Sequence, residues 1–206
     1  MKKPGMLART AACALGGMLL LGAAGAAAAD ELGDDDVQVS VDIAALPPVG
    51  ALTMSVVAGG AVLTEAPSTD PDLREFTGVL PTVTVTDDRE EVPEGAFWYV
   101  TGQSSAFTAA GATPIGPEQL GWTPRLLTPN DGEVAEGPEV GTVFDSAPNN
   151  VGLEGEEFLA LALDSGEART VGQWQANADL RLKTPADVEP GSYSATLTLT
   201  LWEDAL

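Results

Sequence analysis

The side chains of this chain best suited to chemistry are aromatic. Trp98, Tyr99, Trp122, Trp174, Tyr193 and Trp202 are all of its tryptophan and tyrosine. Flat ring faces stack on sugar rings and bring a large contact area with few rotamers to freeze. Trp98 and Tyr99 are neighbours, so on a strand they point to opposite faces and one of them is expected at the surface. Trp122 sits in Leu-Gly-Trp-Thr-Pro, where glycine and proline suggest a loop, and is expected to be an exposed platform. Trp202 follows an inward Leu201 and is expected to face outward. Trp174 shares its parity with Ala176, Ala178, Leu180 and Leu182, the pattern of a core residue. The candidate ligand-binding residues are therefore Trp98, Tyr99, Trp122 and Trp202.

Charge removes most other chemistry. The chain has 31 Asp+Glu, 9 Lys+Arg, no His and one Cys, with a formal net charge of −22. Lys2, Lys3 and Arg9 lie ahead of residue 30, so residues 30–206 hold 31 acids against six bases, a net −25. Cys13 also lies in that leading part. Beyond it there is no cysteine nucleophile, no Ser-His-Asp triad, no zinc site of the usual ligands and no histidine for haem. Nucleic acid is excluded as a partner, because each phosphate contact needs a cation that the chain lacks. Acids cluster at Asp34-Asp35-Asp36, at Asp87-Asp88 with Glu90-Glu91, and at Glu154, Glu156 and Glu157. Oxygen-rich loops can take Ca²⁺, but no EF-hand or repeated Gly-Gly-x-Gly-x-Asp pattern occurs. The expectation is solvated charge, no defined metal site and no cofactor, with Ca²⁺ at most loosely bound. A carboxylate pair could in principle hydrolyse a glycoside. Nothing in the sequence marks one pair among so many acids, and a non-catalytic protein is expected.

The first 29 residues read as a secretory signal peptide. Lys2, Lys3 and Arg9 form a positive n-region, and residues 11–24 form an apolar run around Leu15, Met18, Leu19, Leu20 and Leu21. Ala27-Ala28-Ala29 offers the small residues that a signal peptidase needs, which places cleavage between Ala29 and Asp30. The run is short of the ~20 strongly apolar residues of a membrane span. No second apolar span and no C-terminal sorting motif follow. The expectation is a secreted, extracellular protein with no membrane span after cleavage.

The elements that must position the aromatics are strands. Residues 30–36 form an acidic leader. Val37, Val39, Val41 and Ile43 then alternate with polar residues, and Leu52, Met54 and Val56 repeat the pattern. Residues 80–86 alternate Val and Thr, which suit a pleated, half-buried surface. Further strands are expected at 97–100, 158–163, 172–183 and 193–201. No stretch keeps a helical period over three turns. Residues 126–150 are acidic and rich in Gly, Pro, Asn and Asp, which reads as a long surface loop. Short strands separated by Gly and Pro turns predict an all-β fold, an Ig-like or Greek-key β-sandwich forming a single domain over residues 37–206.

Four stretches together resemble a known family: LPTVTVTDDR at 80–89, FWYVTGQSSAFTA at 97–109, IGPEQLGWTPRL at 115–126 and WQANADLRLKTPADVEPGSYSATLTLTL at 174–201. The chain resembles the WxL-type surface domains of Gram-positive bacteria, in the form of secreted actinobacterial proteins, over about residues 37–201. Its first Trp-x-Leu signature stands here as Trp98-Tyr99-Val100. In the second, Tyr193, Leu197, Thr198 and Leu201 match, Leu199 occupies the Trp position, and Trp202 lies just outside the motif. The resemblance implies a β-sandwich held non-covalently at the cell wall, binding peptidoglycan or a wall-bound surface protein. Two alternatives stand beside it. One is a structural or adhesion subunit that assembles with other surface proteins through an edge strand. The other, weaker, is a secreted hydrolase.

Overall fold

Period-two patterning dominates the computed structural model, which describes residues 50–129, 131–146 and 149–205. In chain order the strands are β1 (Leu52–Val56), β2 (Thr64–Ala66), β3 (Leu73–Val79), β4 (Val83–Asp87) and β5 (Ala96–Ser104). Then come β6 (Leu120–Leu126), β7 (Ala135–Glu136), β8 (Glu157–Ala162), β9 (Gln173–Pro185) and β10 (Leu197–Ala205). A 3₁₀ turn at Pro117–Gln119 and one short helix, α1 (Ser165–Arg169), interrupt them. Asp164 caps α1 by accepting the Glu167 N–H at 3.0 Å, which satisfies a backbone donor that the helix itself leaves open.

The strands form two antiparallel sheets, and β9 is the spine of the first. Ala176 pairs with Val83 of β4 and with Leu126 of β6, so those strands lie on opposite edges of β9. Leu180 likewise pairs with Gly78 of β3 and Trp122 of β6, so β3 and β4 follow one another along the same edge. Between them the Leu80 N–H donates to the Ala178 carbonyl at 2.8 Å. β1 flanks β4, and β2 flanks β3. The second sheet runs in the order β10-β5-β8-β7. This is an all-β sandwich, as the alternation predicts.

The inner faces make the core. Val83, Val85, Leu120, Trp122, Trp174, Ala178, Leu180 and Leu182 from the first sheet meet Trp98, Val100, Leu159 and Ala162 from the second. Each large side chain removed from water contributes about 1.5–3 kcal/mol. Two sequence expectations need correction. Residues 120–126, read as a loop around Trp122, are strand β6. Its proline is tolerated because β6 has a full strand partner on one side only, β9. Its Gly121 is required because the Val140 carbonyl crosses where a Cβ would sit. Residues 126–150 are likewise not a purely surface loop. Val134, Val140 and Thr142 are buried, and Trp122 and Val140 exchange backbone hydrogen bonds of 2.9 Å in both directions.

The strand expected at 193–201 starts later, at Leu197, and runs on to Ala205. β3 was not expected at all, since Leu-Arg-Glu-Phe-Thr-Gly-Val has no clean alternation. The signal peptide at 1–29, its cleavage point at Ala29 and Asp30, the acidic leader 30–36 and the strand expected at 37–43 lie outside the described residues. Among the described residues no helix is long and apolar enough to cross a membrane.

Candidate functional site

The alternation of β5 divides its side chains cleanly. Ala96, Trp98 and Val100 are buried inward, which leaves Phe97, Tyr99 and Thr101 on the outer face of the second sheet. β10 pairs Trp202 with Tyr99, so the indole projects from that same outer face. β8 joins through a bulge. Val100 pairs with Ala160 and Thr101 with Phe158, so Leu159 has no partner between them. A one-residue slip turns every later side chain to the opposite face. Here it drives Leu159 into the core and brings Phe158 out beside Tyr99.

The result is an aromatic cluster spanning three neighbouring strands. Tyr99 and Trp202 are stacked, with ring centroids 6.3 Å apart and planes within 23°. Phe97 and Tyr99 are stacked at 6.1 Å and 19°. Phe158 meets Tyr99 edge to face at 5.4 Å. Trp202 remains 40% exposed and Phe158 41% exposed. β10 is the last strand of its sheet, so among the described strands none lies beyond Trp202.

A hydrogen-bond relay sets the indole. Trp202 Nε1–H donates to Thr101 Oγ1 at 3.0 Å, and that hydroxyl donates to Glu156 Oε2 at 3.0 Å. Thr101 is buried, so its one proton is committed to the carboxylate and its lone pairs to the indole. The polar edge of Trp202 is therefore held inward, and what it offers to solvent is ring carbon. Strands β5, β7, β8 and β10 contain Glu136, Glu157, Glu203 and Asp204 but no Lys or Arg.

Of the aromatics proposed from sequence, Tyr99 and Trp202 come together and Trp98 and Trp122 do not. Both of those are 1% exposed. Trp98 has the parity of Val100 and points into the core. Trp122 is inward on β6, against Gly102, where an added Cβ would stand 2.6 Å from its Cη2. The Trp122 Nε1–H has no partner among the described residues, a burial that costs about 1–3 kcal/mol. Trp174 is the expected core residue, and its N–H donates to the Ala168 carbonyl at 2.8 Å. Of the remaining motif positions, Val100 is buried, while Leu197, Leu199 and Leu201 are half-buried and pack against the core. Thr198 faces solvent, and Tyr193 is half-buried with its hydroxyl donating to the Glu189 carbonyl at 2.9 Å. Sequence reasoning missed Phe97 and Phe158. Phe97 could have been found as the same-parity neighbour of Tyr99, whereas the bulge hid Phe158.

Asp87, from one of the acidic clusters, has a structural partner. Arg89 binds Asp87 through Nε at 2.8 Å and Nη2 at 2.6 Å, and reaches Glu203 through Nη1 at 2.6 Å. This triad ties the end of β4 to β10 across the two sheets. Burial pushes the Asp87 carboxyl up, but its bonds to Arg89 outweigh that and hold it below the usual range, while the Arg89 pKa is raised in return. Asp34-Asp35-Asp36 lies outside the described residues. Among the described residues no group of three or more His, Cys, Asp or Glu is placed to hold a metal ion.

No protein-family model matches the chain, and no curated protein matches it. Among solved structures it is similar to a family 123 glycoside hydrolase from Clostridium perfringens, with 15% sequence identity and a TM-score of 0.32. The likeness covers 62% of this chain and 18% of that one, and supports no argument about activity.

Proposed function

We propose that this is a secreted, non-catalytic surface protein of the WxL type that associates non-covalently with a Gram-positive cell wall. In this reading the aromatic face of the second sheet stacks on glycan rings of peptidoglycan. One observation supports it above the rest: Trp202 stands on an edge strand, 40% exposed and parallel to Tyr99, with its indole N–H bonded inward. A ring in that state has already lost its rotamer freedom and presents apolar surface, the two requirements for stacking on a pyranose. The rigid strands beneath it keep the rings in place without a ligand.

The test is co-sedimentation of residues 30–206 with bare peptidoglycan sacculi, with calcium and with chelator. Binding in both conditions supports direct wall recognition. Binding with calcium alone makes the acidic side chains the bridge, and no binding in either rejects recognition of peptidoglycan. A second reading has its own support: among the described strands β10 hydrogen-bonds to β5 alone, and the other edge of such a strand is where a strand from a surface protein would add. Mass that grows with concentration, without wall binding, would favour that reading.

A further inference from the structure

The second sheet's outer face is not electrically neutral, and this bears on which glycan it takes. Aromatic faces are negative at their centres, and tryptophan is the best of them at holding a cation. Beside Trp202, Arg89 is taken up by Asp87 and Glu203, and the charged strand residue on the outer face itself is acidic. Asp204 pairs with Phe97 in register and so shares the outer face, while Glu156 is joined to the indole through Thr101. No strand of this sheet contributes a Lys or Arg. On the neighbouring sheet Arg181 and Lys183 are engaged with Asp145 and Arg125 with Asp179. A polyanion approaching Trp202 meets repulsion from both the rings and the carboxylates, and a cation meets attraction from both.

We infer that the sugar stacked on Trp202 carries a free amino group: the preferred ligand class is a glycan containing unacetylated hexosamine. The inference rests on the glycan-stacking reading above and adds to it the charge of the ligand. The ammonium lies against the indole face or between it and Asp204, while the apolar face of the pyranose covers the ring. The acetylated form of the same sugar keeps only the stacking.

Two probes with one backbone isolate this step: the pentamer of glucosamine and the pentamer of N-acetylglucosamine, titrated into the intact chain by calorimetry. At about pH 6 the amines are protonated. The glucosamine pentamer is expected to bind on the order of tenfold more tightly at low salt, the scale of one surface charge pair, with the gap closing as salt screens it. Trp202→Ala should abolish binding of both pentamers, and Asp204→Asn should narrow the ratio between them. Equal or tighter binding of the acetylated pentamer overturns the inference and leaves the stacking reading intact. Binding of the glucosamine pentamer that survives Trp202→Ala overturns it as well, because the attraction would then belong to the net charge of the protein and not to this face. Failure of both pentamers to bind removes the stacking reading and this inference together.

Discussion

The outer faces of the two sheets are built from the same alternating pattern and end in opposite states. On the first sheet the outward charged side chains of β9 are Asp179, Arg181 and Lys183, and each finds an ionic partner. Lys183 Nζ bonds Asp145 at 2.7 Å and lies 4.0 Å from Glu75, Arg181 reaches Asp145 at 3.4 Å and Glu139 at 3.5 Å, and Asp179 pairs with Arg125. The stretch that carries Asp145 is laid over the sheet by these contacts. On the second sheet the outward side chains include Phe97, Tyr99, Phe158 and Trp202, whose rings pack on one another. A face whose charges are matched internally offers little to a partner. A face of ordered, half-exposed rings gains by covering them. Under the proposed function, this difference favours the second sheet as the recognition face.

That contrast can be broken from either side. The largest effect is expected inside the sandwich. Trp98→Ala or Trp122→Ala should each cost about 3–5 kcal/mol in urea unfolding, because a buried indole leaves a cavity. A loss below ~1 kcal/mol would contradict their place in the core. Trp202→Ala should cost far less stability, since the ring is already part-exposed.

Next comes the paired face. Asp145 accepts from the Thr142 N–H at 2.7 Å and the Thr142 hydroxyl at 2.8 Å as well as from Lys183. Removing it with Asp145→Ala should cost about 2 kcal/mol, by stranding Lys183 and Arg181 and releasing the 141–146 segment. Burial pushes the Asp145 carboxyl up, but its bonds to Lys183 and Thr142 and the nearby Arg181 prevail and bring its pKa down to about 2. Its ordinary unfolded value is near ~3.9. Its contribution is therefore complete above about pH 4 and is lost as pH falls through about 2. Acid unfolding of wild type and Asp145→Asn should converge across that window, and curves that stay parallel would contradict the assignment.

The smallest effects belong to the exposed charges. Arg125→Ala should change stability by less than about 1 kcal/mol, as both partners of the Asp179 pair are solvated. The chain's net charge of −22 still repels itself, so melting temperature should rise modestly from low to moderate salt. A melting temperature that falls with salt would mean that the ion pairs of the first sheet outweigh the excess charge.

Much of this contrast is legible in the sequence, and its limits have physical causes. The alternations at 52–56, 97–100 and 172–183 give β1, the start of β5 and most of β9, and the parity of Trp174 gives its burial. Parity also states that Trp98 and Tyr99 face opposite ways, and Val100 indicates which of them is inside. β6 is hidden because Gly121 and Pro124 look like turn residues. One is there to let Val140 cross closely, and the other is tolerated on a strand with a single full partner. Phe158 is hidden because its side depends on the bulge at Leu159, a property of the pairing with β5 and not of β8 itself. The burial of Val134, Val140 and Thr142 within an acidic, Gly-rich stretch depends on contacts with β6 and β8, which local composition does not report.

The proposal that the Trp202 face binds the wall requires that this face can be removed without harming the sandwich. It is tested most directly by sedimenting wild type and Trp202→Ala with peptidoglycan sacculi while recording the melting temperature of each. The expected result is loss of most of the bound fraction in Trp202→Ala, with a melting temperature within about 4 °C of wild type. Undiminished binding by a folded Trp202→Ala protein would contradict the claim.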